Sequence, residues 1–132
     1  MKTKYVAAAA VRPGAKEPHL YLAQLLNRMG RYAEALQECD AALAVAPDHA
    51  AAHNEKGVLL AKTGDAGGAA AAYREALAHD PAFAEAHYNL ASCLSAQGRA
   101  DAAVEHFRRA LALRPDYADA HNNLVAQPMA RG

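Results

Sequence analysis

The sequence predicts an all-α fold, an α-solenoid of stacked antiparallel helix pairs. Three observations predict it. Pro13, Pro47, Pro81 and Pro115 recur every 34 residues. Gly30, Gly64 and Gly98 recur with the same 34-residue spacing. Small residues keep the same register, Ala35, Ala69 and Ala103 first, then Ala42, Ala76 and Ala110. A fixed period of this size marks an array of stacked units, each too small to bury its own apolar face. Proline ends a helix or occupies the turn behind it, and glycine after an apolar run terminates the helix before it. Each period is therefore cut into two helices.

With the proline at position 32 of the period, the chain divides into a partial repeat at 1–15, repeats at 16–49, 50–83 and 84–117, a capping helix at 118–127 and a tail at 128–132. In the partial repeat Tyr5 falls at position 24 and Ala8 at position 27, which predicts a second helix without its first. In each full repeat's second helix, position 24 holds Cys39, Tyr73 and Phe107, and position 28 holds Leu43, Leu77 and Leu111. Together with the alanines at positions 20 and 27 these share one helix face, where small groups allow close approach and larger ones fill the gap. In the first helix, a turn of about 100° per residue gathers positions 4, 7, 8 and 11 on a packing stripe. These are His53, Lys56, Gly57 and Leu60, then His87, Leu90, Ala91 and Leu94. Gly67-Gly68 open the second helix of repeat two as a soft point, because glycine costs about 1 kcal/mol against alanine there. They are not read as a phosphate loop, since no Gly-Lys-Ser/Thr follows and no strand precedes. Tyr117 to Ala126 begin a fourth first helix that Pro128 interrupts, and this helix covers the last apolar face.

The spacing Gly, four residues, Ala, three residues, an aromatic, two residues, Ala-Leu, three residues, Pro resembles the tetratricopeptide repeat. The segments Pro115-Asp116-Tyr117-Ala118-Asp119-Ala120 and Ala120-His121-Asn122-Asn123-Leu124 are similar to the arrays of O-linked N-acetylglucosamine transferases. The resemblance covers about 16–126 and implies a right-handed superhelix. Two positions depart from the family. Position 4, often tryptophan there, is His19, His53, His87 and His121, and position 8, often glycine, is glycine only at Gly57.

The face opposite the packing stripe is formed by first-helix positions 2, 5, 6, 9, 12 and 13, and the resemblance implies that it lines a concave groove holding an extended peptide. The groove residues expected here are Tyr21, Gln24, Asn54, Glu55, Val58, Lys62, Tyr88, Asn89, Ser92, Asn122 and Asn123. Amides donate and accept, so they satisfy a peptide backbone without selecting its side chains. Asn89 and Asn123 resemble the asparagine ladder of the transferase arrays, broken here at Glu55 and Tyr21. A clamp for a dicarboxylate tail is not expected, because position 5 offers Leu20, Asn54 and Tyr88 rather than cations.

Composition narrows the function classes. The 53% hydrophobic fraction is rich in alanine, with no Trp and two Phe, as close-packed helices require. Fourteen basic residues balance 14 acidic ones, so the chain carries no electrostatic footprint for nucleic acid or an anionic membrane. Cys39 and Cys93 stand at non-equivalent positions and read as small buried hydrophobes. The apolar run after Met1-Lys2-Thr3-Lys4 is short, alanine-rich and closed by Arg12-Pro13, so no signal peptide is expected. No stretch is long enough to span a bilayer, and a soluble, cytoplasmic protein is the expectation. The position-4 histidines lie one per repeat at a helix-packing spacing of about 8–10 Å, whereas ligands sit about 2 Å from a common ion. No metal, cofactor or catalytic set is expected, and His49, His79 and His106 read as surface. The predicted role is a protein–protein interaction module for an extended peptide or partner helix. The alternatives are the substrate-recognition part of a larger glycosyltransferase-like enzyme, or a scaffold that assembles into a homo-oligomer through its terminal half repeats.

Overall fold

The structure, a computed structural model, describes residues 16–127; the partial repeat expected at 1–15 and the tail at 128–132 lie outside the described residues. Among those residues are seven helices: α1 (Lys16–Arg28), α2 (Tyr32–Val45), α3 (Ala50–Lys62), α4 (Ala66–His79), α5 (Ala84–Ala96), α6 (Ala100–Leu113) and α7 (Ala118–Ala126). First helices begin at 16, 50, 84 and 118 and second helices at 32, 66 and 100, so the period holds to the residue. No helix among the described residues is long and apolar enough to cross a membrane.

The two punctuation marks of the period make two different turns. Gly30, Gly64 and Gly98 adopt φ of 79°, 91° and 78°, the left-handed region that glycine enters without a Cβ penalty. The N–H after each one reaches back to Leu26, Leu60 and Leu94 at 2.9, 2.8 and 2.9 Å, closing a Schellman motif that satisfies the end of the first helix. The prolines sit second in four-residue turns closed by His49 to Ala46, Phe83 to Asp80 and Tyr117 to Arg114, each at 3.1 Å. Proline suits that place because its ring presets φ. The N-terminus of α4 differs from its equivalents: Asp65 caps it, its carboxylate accepting from the Gly68 N–H at 2.9 Å.

Within each repeat the two helices pack as an antiparallel pair, and each second helix packs on the first helix of the next repeat. First helices also touch one another, α1 against α3 and α3 against α5, whereas second helices make no comparable contact. The first helices consequently line the inner, concave side of the stack. Positions 20, 24 and 27 of the second helices are all buried, Ala35-Cys39-Ala42, Ala69-Tyr73-Ala76 and Ala103-Phe107-Ala110, with Tyr73 the most exposed at 3%. Leu43, Leu77 and Leu111 at position 28 are only half-buried, at the margin of that face.

Two features of the first helices depart from the sequence reading. Ala52, Ala86 and Ala120, at position 3, are fully buried, because a first helix faces both its own partner and the preceding second helix. Val125, at position 8 of the packing stripe, is 84% exposed, while Ala23 and Ala91 at that position are fully buried. Among the described residues no second helix packs over α7, so Val125 has no helix above it, while Leu124 of the same stripe packs against the core. At the same position Gly57 lies under the Tyr73 ring, where a Cβ would stand 2.5 Å from Cε1. That close approach explains the glycine.

Candidate functional site

The concave stripe is built by consecutive first helices, and their contact decides where its side chains go. Position 5 of one repeat faces position 6 of the next. The Asn89 amide donates to Asn54 Oδ1 at 3.1 Å, and the Asn123 amide donates to the Tyr88 hydroxyl at 3.1 Å. Asn54 is thereby buried at 6% exposure. The Tyr88 ring packs against Phe107 and Tyr117, with centroids 5.7 and 5.0 Å apart. The expectation that this whole stripe turns away from the core is corrected at Asn54 and Tyr88: both serve the seam between repeats. The sequence signal for these pairs is a 35-residue spacing, one more than the period.

One repeat earlier the seam is charged. Asn27 Nδ2 donates to Glu55 at 2.7 Å, and Lys62 Nζ donates to Asn27 Oδ1 at 2.7 Å while lying 5.7 Å from the Tyr32 ring centroid. Tyr21 and Asn122 are exposed, and Gln24 is half-buried. Asn123 also donates to the Asp119 carbonyl at 2.8 Å.

Between α3, α4 and α5 the stripe opens into a hollow of about 390 Å³, which gathers Val58, Lys62, Tyr88, Asn89 and Ser92 from the predicted set. Its apolar wall is completed by Tyr73, Cys93, Ala61 and Ala96, none of which belongs to that set. Tyr73 and Cys93 come from second-helix position 24 and first-helix position 10, which a single-helix projection assigns to the core. Lys62, Asn89 and Ser92 form the polar rim, offering donors and acceptors together. Tyr21, Gln24, Asn122 and Asn123 lie outside this hollow.

A larger hollow of about 520 Å³ lies on another side, where Leu77, Leu90 and Leu113 meet Arg74, His106 and Arg109. Its imidazoles are already engaged. His87 Nε2 donates to the Pro81 carbonyl at 3.0 Å, and its Nδ1 stands 3.1 Å from His106 Nδ1. Burial lowers both histidines below their ordinary pKa, with mutual repulsion adding to the effect at His106. The concave hollow differs in setting an apolar wall beside a rim of amide, hydroxyl and ammonium groups.

The thiols are unsuited to nucleophilic chemistry. Burial, with the Glu55 carboxylate second, pushes Cys39 up to about 12. Burial also raises Cys93, whose Sγ lies 3.0 Å from the Ala66 carbonyl it donates to.

The tetratricopeptide repeat family model matches residues 60–127, and a second model of the same description matches residues 3–50 and 20–78. No curated protein matches the chain. Among solved structures, the chain is similar to a mutant O-GlcNAc transferase of Thermobaculum terrenum, with 36% identity and a TM-score of 0.79, covering 83% of this chain and 21% of that one. It also resembles YrrB, described as a TPR protein with an unusual peptide-binding site, at 20% identity and a TM-score of 0.82, over 91% of this chain and 62% of that one. The first TPR of Spaghetti, bound to an HSP90 peptide, superposes at 16% identity and a TM-score of 0.81, over 83% and 87% of the two chains. The chain thus spans about a fifth of the transferase and under two thirds of YrrB.

Proposed function

The chain belongs to the tetratricopeptide repeat family, and from that premise we propose that its concave face binds an extended peptide or a partner helix without catalysing a reaction. The observation that carries this reading is the hollow between α3 and α5, apolar inside and rimmed by Lys62, Asn89 and Ser92. Its wall takes one apolar anchor residue, and its rim satisfies the neighbouring backbone. The peptide-binding titles of YrrB and Spaghetti support an interaction role for this fold. The ligand predicted here is not an acidic tail, because Lys62 is the one cation lining the hollow.

Peptides selected from a random phage-displayed library against the chain should share an apolar anchor. Lys62→Ala combined with Ser92→Ala removes two rim hydrogen bonds, each worth about 0.5–1.5 kcal/mol, and should weaken a selected peptide roughly fivefold or more by calorimetry. Unchanged affinity overturns the rim assignment.

Two further readings rest on specific observations. The 36% identity to a transferase favours a role as the substrate-recognition part of a larger glycosyltransferase-like enzyme; a catalytic domain contiguous with this chain in the gene product decides that. The 84% exposure of Val125 favours self-assembly through α7; sedimentation showing only monomer at high concentration removes it.

A further inference from the structure

The position-4 histidines use their two nitrogens in a repeating way. Nε2 of His53, His87 and His121 donates to the carbonyl of the proline six residues earlier, Pro47, Pro81 and Pro115, at 2.8, 3.0 and 3.1 Å. In the flanking repeats Nδ1 meets a side chain 19 residues on, in the second helix: Glu38 for His19 at 2.8 Å and His106 for His87 at 3.1 Å. In the middle repeat the residue at that place is Ala72, which offers no polar atom. Two other groups of α4 approach His53 instead. His79 stacks on its ring with centroids 5.6 Å apart, and Glu75 stands one turn before His79, with its carboxylate 3.8 Å from His79 Nε2. One ligand atom from each of His53, Glu75 and His79 lies within 4.8 Å of the other two.

We infer that His53, Glu75 and His79 form a binding site for a divalent transition-metal ion, of which Zn²⁺ is the representative. Two imidazoles and a carboxylate are a ligand set that zinc accepts in tetrahedral geometry, with water in the fourth place. The Pro47 carbonyl fixes the His53 tautomer: with Nε2–H donating, Nδ1 carries the lone pair a metal needs. A backbone carbonyl on the far nitrogen is the usual outer partner of a ligating histidine. Four-residue spacing puts Glu75 and His79 on one face of α4. Ligands 2.0–2.1 Å from zinc stand about 3.3 Å apart, and both exposed side chains of α4 are free to turn that far.

The location gives the site a consequence independent of peptide binding. His53 lies in the first turn of α3 and His79 is the last residue of α4, so they meet where the antiparallel pair is open. The other end of the pair is closed covalently through Gly64. A bound ion clips the open end and stiffens the middle repeat.

Titration of the untagged full chain with zinc chloride in a calorimeter tests the inference. The result expected is one ion per chain, an affinity at least tenfold weaker in His79→Ala, and an affinity unchanged in the control His106→Ala. Zinc should also raise the melting temperature of the wild type but not of His79→Ala, whose circular dichroism shows that the fold persists. Absence of binding, equal affinity in His79→Ala, or an equal loss in His106→Ala overturns it.

Discussion

Gly57 and Tyr73 meet inside repeat two, where a methyl added to the glycine would contact Cε1, Cδ1 and Cζ of the ring at 2.5, 2.7 and 2.9 Å. Tyr73 is 3% exposed, so admitting the methyl requires the packed ring to shift. Gly57→Ala gains about 1 kcal/mol of helix propensity but overpacks at about 1–3 kcal/mol. The expected outcome is a net loss of up to about 2 kcal/mol in denaturant unfolding, reversed to a gain when Tyr73→Leu removes the ring. A Gly57→Ala chain more stable than wild type with Tyr73 in place contradicts the contact. A second prediction concerns His87 and His106, both held below the ordinary value of 6.5 by burial. The unfolded chain then binds more protons than the folded one as pH falls through 6.5, so stability rises with pH across that window. The melting temperature should drop between pH 7.5 and 5.5, and His106→Ala should flatten the drop. An identical slope in the variant refutes the assignment.

At the scale of the element, the turns are legible in the sequence and the seams are not. A glycine with nothing within 4 Å of its would-be Cβ, as at Gly64, is needed only for its φ of 91°. Gly64→Ala should therefore cost about 1–2 kcal/mol, the left-handed penalty for an L-residue. Gly64→Asn should cost less, and the two melting curves check the order. Proline and glycine announce such turns because their backbone restrictions are intrinsic. The second-helix faces are legible for a related reason, since a period of 3.6 residues fixes which positions share a side. Asn54 and Tyr88 escape that logic. Their burial depends on how one first helix sits against the next, and no single-helix pattern encodes that placement. His79 is a similar case. Read alone it is a surface histidine, and only the antiparallel pairing brings it to His53.

At the scale of the molecule, each repeat contacts its neighbours alone, so stability is close to a sum of repeat and interface contributions. The core reflects this: Leu26, Cys39 and Leu59 belong to one cluster, while Tyr73, Leu90 and Phe107 belong to another. The candidate site lies on the inner face of this stack as a hollow with an apolar wall and a polar rim. The sequence indicates the inner face through periodicity and family likeness, but the members of the hollow from Tyr73 and Cys93 emerge only from packing. In the proposed complex this hollow receives the anchor residue of a bound peptide. Ala96 is exposed at its mouth, and Val104 lines a different hollow beside Arg108. Calorimetry of one selected peptide with Ala96→Trp and with Val104→Trp is the most direct test. At least a tenfold loss is expected with Ala96→Trp and wild-type affinity with Val104→Trp; the reverse order, or no loss from either, rules out this hollow as the anchor site.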